Sequence, residues 1–304
     1  MGNFYSYDSA VRVEDVNPII TNVSIVETPF VSNIGVAPAA TDTEHKVLTD
    51  TIEASGDNAR IEGSDPTYPN PSDPSKVSNF TQILSKPLQI TLTKLNITHH
   101  GMADNWSYQK VKKTMALKKD LEHACLFGTI ASGTGSAARR MKGLISFIAS
   151  YKDGSSYSGQ RLSPSIFDAL AQQIWTQSRI RGGVALVGAY QKRRISENFA
   201  SFDSANRRDI VIGGRTLSLP IDTIVTDFGT YEIQLSHEMN SVVPSAVVTY
   251  QPDYVKLAYL QGSEPRAHEY APTGLSKKGE VWLEGTLEVH NEATSGMLLN
   301  LATA

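Results

Sequence analysis

The residues that could support phosphoryl transfer lie in two short motifs. The tripeptide RDI at 208–210 precedes DFG at 227–229, at about the separation of the catalytic and metal-binding loops of a protein kinase. Such a site needs an asparagine five residues after the catalytic aspartate to hold a second magnesium ion, and that position is Gly214. No kinase strand-lysine motif precedes these residues, and no Ala-Pro-Glu motif follows them. We therefore interpret the glycine pair at 213–214 and the DFG motif as turns between strands.

Two other patterns resemble cofactor or metal sites but lack the necessary context. The run GTGSAA at 133–138 partly matches a dinucleotide fingerprint, which requires a strand before it and a helix after it. A long predicted helix precedes the run, so we interpret it as a linker. His99 and His100 could be joined by His45, yet adjacent side chains cannot both point at one ion from a regular strand or helix. The sequence therefore predicts neither a cofactor site nor a metal site.

Cys125 is the only cysteine of the chain. A catalytic thiol needs a histidine base, and the nearby His123 lies on another face of the predicted helix. We expect Cys125 to be a small buried hydrophobic residue. A single cysteine also excludes an intrachain disulfide and a cysteine-based zinc site, which fits folding in a reducing cytosol. Because the common hydrolase motifs are missing as well, the sequence predicts that the protein is not an enzyme.

The overall composition is that of an ordinary soluble globular protein. Of 304 residues, 40% are hydrophobic and 19% are charged, and the formal net charge is -3. This charge excludes a globally basic nucleic-acid-binding protein, although local basic patches are possible. No apolar run approaches the roughly 18 residues of a membrane span, and the first residues lack the features of a secretory signal. We therefore expect no membrane partner.

A long acidic segment between residues 42 and 79 is the most unusual feature of the chain. It holds eight acidic residues against three basic ones and is interrupted by four prolines. Structureless loops longer than roughly 12 to 15 residues are uncommon in compact domains unless they bind something or are disordered. We predict a hairpin, with strands at 46–53 and 59–62 and a turn at 55–58. Because so few of its residues are apolar, it should gain its order from another surface, most simply a second copy of the chain.

A long helix is predicted after this segment. Asp104 or Asn105 caps its start, and Gly128 follows its end near residue 127. Its apolar positions form a narrow stripe: Tyr108, Val111, Met115, Leu121, Ala124 and Cys125. Lysines occupy much of the remaining surface: Lys110, Lys112, Lys113, Lys118 and Lys119. Such a helix is better suited to lying along a sheet or a subunit boundary than to filling a core.

The other elements predict an α+β protein. Residues 1–41 resemble an extended arm, and 80–93 form a strand with Leu88, Ile90 and Leu92 on one face. A second helix begins at Pro164, and a basic helix covers 191–199. The remaining strands are predicted at 184–189, 210–217 as a hairpin, 221–226, 231–237, 246–250, 255–260 and 281–290.

Seven short motifs in a fixed order carry a family resemblance. They are NFTQI at 79–83, LKKDLEHA at 117–124, RMKGL at 140–144, VGAYQKRRIS at 187–196, TDFGT at 226–230, DYVKLAYL at 253–260 and TLEVHNEA at 286–293. Together they make the chain resemble the major head proteins of tailed bacteriophages with the Hong Kong 97-type capsid fold, over about residues 27–296. Each motif is weak alone, but their common order is specific.

The resemblance implies a division of the chain. Residues 1–41 would be the N-terminal arm and 42–85 the E-loop. A peripheral domain would cover 86–161 with its spine helix at 104–127, an axial domain 162–262, and residues 263–304 would return to the peripheral domain. The resemblance also implies self-assembly into hexamers and pentamers of an icosahedral virion shell in the bacterial host cytoplasm. Its implied partners are a separate scaffolding protein, a portal and packaged double-stranded DNA contacted without sequence specificity.

The charges of these segments suggest an intersubunit contact. We hypothesise that the E-loop lies on a neighbouring copy through Asp50, Glu53, Asp57, Arg60 and Glu62. The candidate receiving or DNA-facing basic residues are Lys110, Lys112, Lys113, Lys118, Lys119, Arg139, Arg140, Arg193 and Arg194. The helix lysines are equally compatible with a solvated face. Another self-associating virion or surface-layer protein is the alternative function.

Overall fold

The computed structural model describes residues 27–66, 68, 70, 73–98, 104–198, 209–212, 215–218 and 222–303, with 198, 209–212 and 215–218 described by their backbone alone. Helices and strands are mixed, as the α+β prediction requires. Most of the predicted arm, His99 and His100, and the glycine turn at 213–214 lie outside the described residues.

The described chain contains helices and strands in the following order. The helices are α1 Pro29–Asn33, α2 Leu92–Asn96, α3 Asn105–Phe127, α4 Leu144–Phe147, α5 Pro164–Ser178, α6 Ala189–Asn198 and α7 His237–Val242. The strands are β1 Gly35–Val36, β2 Glu44–Thr49, β3 Ser75–Phe80, β4 Gln82–Thr91, β5 Lys152–Asp153, β6 Gly183–Val187, β7 Asp209–Ile212, β8 Arg215–Ser218, β9 Thr223–Thr226, β10 Gly229–Leu235, β11 Val247–Tyr250, β12 Val255–Tyr259, β13 Arg266–Tyr270, β14 Ser276–Val289 and β15 Gly296–Leu298.

The first sheet is organised around β14. On one side β14 pairs antiparallel with β12 through its C-terminal half and with β13 through its N-terminal half, and β1 joins β12 in parallel. On its other side β14 pairs antiparallel with β4 over ten residues. Leu257, Leu283 and Leu287 of this sheet pack in one core with Leu117 and Leu121 of α3. The long helix therefore lies along a sheet, as predicted.

The ends of α3 are confirmed, but part of its predicted apolar stripe is wrong. Asp104 accepts a hydrogen bond from the Trp106 backbone N–H at 2.9 Å, and Gly128 is the C-cap. Val111 and Met115, predicted to share one apolar stripe with Leu121, are exposed, whereas Leu121 is buried. The helix face toward the sheet includes the buried positions 106, 117, 121 and 124. At a spacing of three or four residues, positions 110 and 113 belong to the same face. Both of these are lysines, which concealed the stripe in the sequence.

The strand predicted over 80–93 also needs correction. It is divided into β3 and β4, and Leu92 begins the short helix α2 with Thr91 as its N-cap. Leu88 and Ile90 lie on one face of β4, as predicted, and with Trp106 they form a small separate core. Leu92 is exposed because the Thr91 hydroxyl accepts a hydrogen bond from Lys94 and starts a helical turn there.

The second sheet lies between two cores. Its strand order is β5-β15-β11-β6-β10-β9. Val184 and Leu186 of β6 pack in the core that α3 covers, whereas Ala185 and Val187 pack against α5. Alternate side chains of a strand point to opposite faces, so this apolar strand is buried on both sides. Most predicted strand positions from 184 onward are confirmed within one to three residues.

The described end of the arm is held by a buried carboxylate. Residues 27–41 include the short helix α1 and are therefore not wholly extended as predicted. The Glu122 carboxylate, inside α3, accepts hydrogen bonds from the backbone N–H groups of Phe30 at 2.9 Å and Val31 at 2.8 Å. Thr28 makes no side-chain cap, so Glu122 satisfies the first free donors of α1. Burial raises the pKa of Glu122 to about 7, and the two hydrogen bonds oppose this shift.

The raised pKa of Glu122 predicts a pH-dependent stability. Below the ordinary pKa of 4.5 the carboxyl is neutral in both folded and unfolded chains. Between that pH and about 7 the unfolded chain loses this proton while the folded chain keeps it, so folding stability falls as pH rises. Between pH 4.5 and 8 we expect the free energy of unfolding of the wild type to fall by about 3 kcal/mol relative to that of Glu122→Gln. Denaturant unfolding of unassembled chains at each pH measures this difference. The control is Glu53→Gln in the exposed loop, and parallel pH profiles for wild type and Glu122→Gln would contradict the prediction.

Candidate assembly interface

The acidic loop has a two-stranded stem that differs from the predicted hairpin. Strand β2 pairs antiparallel with β3, and Val47 lies opposite Val77. The predicted return strand at 59–62 was therefore wrong. Strand β3 continues almost directly into β4, which is fixed by its ten-residue pairing with β14, so it presents a preformed edge to β2. Residues 59–62 have no such support, and Ile61 is their only bulky apolar side chain.

Buried polar side chains fix the stem to the first sheet. The Asn79 amide donates to the carbonyl oxygens of Leu287 at 2.8 Å and Lys142 at 3.1 Å, and its oxygen accepts from the Lys142 N–H at 2.7 Å. The Thr81 hydroxyl donates to the Glu284 carboxylate at 2.6 Å. Buried amides and carboxylates are costly unless they are hydrogen-bonded, so these contacts specify one position for the stem.

Two carboxylates of β14 complete this attachment. Glu284 accepts a hydrogen bond from Arg139 at 2.8 Å, and Glu288 lies 2.5 Å from His45 of β2. Both glutamates are buried. The sequence predicts a strand over 281–290 but assigns no role to either glutamate. Their signal in the sequence is a pair of carboxylates on the strand face opposite Leu283 and Leu287. Once that face is buried, both carboxylates require cationic or hydrogen-bonding partners.

The tip of the loop, residues 50–66, contrasts with the stem. It contains no helix or strand, and every residue in it is exposed. The predicted contact residues Asp50, Glu53, Asp57, Arg60 and Glu62 all lie here. None of them forms an ion pair with the described part of the chain. The tip therefore has no core of its own, and its predicted contact residues have no ion-pair partner among the described residues.

The candidate basic residues are not gathered into one patch. Five of them pair within the subunit: Lys110 with Glu269 at 3.3 Å, Lys119 with Glu238 at 3.6 Å, Arg139 with Glu284, and Arg193 and Arg194 with Glu197 at 3.5 and 2.6 Å. The other four make no ion pair with any described residue: Lys112, Lys113, Lys118 and Arg140. The lysines lie on α3, Arg139 and Arg140 follow it, and the remaining arginines lie on α6.

The motifs that resemble catalytic sites have structural explanations. Asp227 and Phe228 form the turn between β9 and β10, as interpreted from the sequence. Cys125 is buried, which raises the pKa of its thiol, and His123 contacts Glu238 at 3.1 Å. Among the described residues, no group of three or more histidine, cysteine or acidic side chains is placed to hold a metal ion. The described helices also include none long and apolar enough to cross a membrane.

Comparison with known proteins identifies the family of the chain. A family model described as SU10 major capsid protein matches residues 2–302. The major capsid protein of Escherichia phage Phieco32 is 32% identical over 126 residues, which cover 41% of this chain and 36% of that protein. The chain thus matches about a third of the length of this curated relative.

Solved capsid structures share the fold at low sequence identity. The capsid of Myoviridae phage XM1 is 12% identical, with a TM-score of 0.66 and 98% of each chain covered. The capsid protein of cyanophage A-1(L) is 9% identical, with a TM-score of 0.68 and 98% of this chain and 99% of that chain covered. The chain therefore belongs to the SU10 major capsid protein family and has the Hong Kong 97-type capsid fold.

Proposed function

We propose that this chain is the shell-forming subunit of a phage head, with a structural and not an enzymatic role. Copies assemble with one another as hexamers and pentamers into an icosahedral shell that encloses the double-stranded DNA genome. The observation that carries the proposal is the family match over nearly the whole chain. An exposed tip whose stem is attached to the body by the buried hydrogen bonds of Asn79 and Thr81 supports it, because such a loop can reach a neighbouring copy.

We propose that the tip of one copy contacts a neighbouring copy. Its Asp50, Glu53, Asp57 and Glu62 are available to a basic surface on a neighbour. Lys112, Lys113, Lys118 and Arg140 are the best receiving candidates, because the other five candidate cations already have carboxylate partners in their own subunit. Charges at the edge of an interface guide association and register more than they add affinity.

The remaining partners follow from the proposed shell. Helix α3 lysines that take no part in the tip contact are proposed to face packaged DNA, which they would bind through its phosphates without sequence preference. A separate scaffolding protein and a portal would join the assembly in the bacterial host cytoplasm. The proposal also includes the domain division: residues 86–161 and 263–304 belong to the peripheral domain, and residues 162–262 form the axial domain.

Negative-stain microscopy of the purified chain, alone and with its scaffolding protein, tests the proposed function. We expect closed shells of uniform size. Sheets or fibres would instead support a different self-associating virion or surface-layer protein. Dispersed small particles under both conditions would contradict self-assembly altogether.

Reversing the tip charges should slow assembly in a salt-dependent way. For Asp57→Lys with Glu62→Lys, we expect assembly about tenfold slower than wild type at low salt, since attraction becomes repulsion. The difference should disappear near 1 M salt, where the screening length is about 3 Å. Light scattering against salt concentration measures the rate. The control, Asp253→Lys with Glu264→Lys, makes the same charge change at exposed positions outside the loop. Wild-type rates for the tip variant at every salt concentration would refute the contact.

The shell is predicted to be held together without covalent crosslinks. Some relatives join subunits through a lysine and an asparagine, and no motif in this sequence establishes such a bond. Denaturing electrophoresis of mature particles should therefore give one band at the mass of the single chain. A ladder of multiples of that mass would show the prediction to be wrong.

A further inference from the structure

The proposed tip contact needs a source of affinity besides charge. Exposed ion pairs contribute little binding energy, and buried apolar anchors usually contribute most of it. Among the residues 50–66, the large apolar side chains are Ile52 and Ile61, which are 99% and 84% exposed. Asp50 and Glu53 lie near Ile52, and Ile61 lies between Arg60 and Glu62, in a tip whose charge is acidic overall. These two isoleucines belong to a loop tip without a core of its own, so their side chains are available as apolar anchors for a partner surface.

A matching surface lies on the outer face of α3. Val111 and Met115 are 55% and 41% exposed, and their spacing of four residues places them one turn apart on the same face. Lys112 and Lys118 are exposed beside them and make no ion pair with a described residue, and Lys119 is exposed there while it also pairs with Glu238 at 3.6 Å. We call Val111, Met115 and these three lysines the apolar-basic stripe. The tip is apolar and acidic, and the stripe is apolar and basic.

A small apolar cavity extends the stripe toward the sheet. It has a volume of about 130 Å³ and is lined mainly by Leu117 and Leu121 of α3, Val31 of the arm, and Tyr259 and Leu283 of the sheet. Lys118 lies at this cavity as well as in the stripe. A branched apolar side chain that entered the cavity would therefore bring a neighbouring carboxylate close to the Lys118 amine.

We propose that Ile52 and Ile61 of one copy pack on the apolar-basic stripe of a second copy. This inference rests on the proposed function and adds the residues that anchor its contact. A second copy is the occupant because both surfaces belong to the same chain and have complementary charge. The tip leaves the stripe of its own subunit uncovered, since Ile52 is almost fully exposed. The α6 arginines fit less well, because both pair with Glu197 and stack on Tyr190.

Crosslinking of assembled shells tests this placement. In Ile52→Cys with Met115→Cys, mild oxidation should join neighbouring chains, and a non-reducing denaturing gel should show multiples of the chain mass that disappear with reductant. Native Cys125 is buried and does not compete. The control pairs Ile52→Cys with Thr176→Cys, an exposed position on α5 outside the stripe. Shells of the first variant that give no ladder, or an equal ladder from the control, would overturn the proposal.

A second measurement covers the case in which the cysteine variant does not assemble. Ile52→Ala with Ile61→Ala should leave the melting temperature of the unassembled chain unchanged but raise the concentration needed for assembly at least tenfold. Ile97→Ala, which truncates an exposed isoleucine elsewhere, should assemble like wild type. If wild-type shells form and the double variant assembles at the same concentration, the anchoring role of Ile52 and Ile61 is refuted, but the proposed shell function is not. If the wild type forms no shells, the proposed function itself fails.

Discussion

Strand β14 is the element on which the rest of the subunit depends. It pairs with three other strands, and its core face, through Leu283 and Leu287, packs with the long helix α3. Its opposite face presents Glu284 and Glu288 to the loop stem and to Arg139. One strand therefore sets the position of the helix and the direction in which the acidic loop leaves the body. A buried carboxylate without its partners would be strongly destabilising, so the fold and the orientation of the loop are coupled.

The polar and charged side chains form two groups: some have hydrogen-bond or ion-pair partners within the subunit, and others are exposed to solvent. In the stem, Asn79 and Thr81 are fully engaged with the sheet. In the tip, by contrast, every residue from 50 to 66 is exposed. The basic residues form the same two groups. Arg139 pairs with Glu284, which also holds the stem, whereas Lys112 and Lys118 are exposed. The paired groups stabilise the single chain, and the unpaired groups are the ones that assembly can use.

Local signals made much of the fold predictable from the sequence, and non-local pairing explains most of what was missed. The caps Asp104 and Gly128 define α3 within its own residues, so its ends were correct. The partner of β2 lies 26 residues beyond Thr49, at Ser75, and is selected by the attachment of β4 to β14, which no short pattern contains. The exposure of Met115 depends on where the sheet lies. The acidic character of the tip was readable, whereas the anchoring role of Glu284 required the folded sheet.

The central claim is that the tip gains its order from a neighbouring subunit and not from its own. Amide hydrogen exchange of the unassembled chain and of the closed shell tests this most directly. We predict rapid exchange over residues 50–62 in the unassembled chain and at least tenfold slower exchange in the shell. The stem strands Glu44–Thr49 and Ser75–Phe80 should be protected in both states. Slow exchange of the tip in the unassembled chain, or equally rapid exchange in the shell, would contradict the claim.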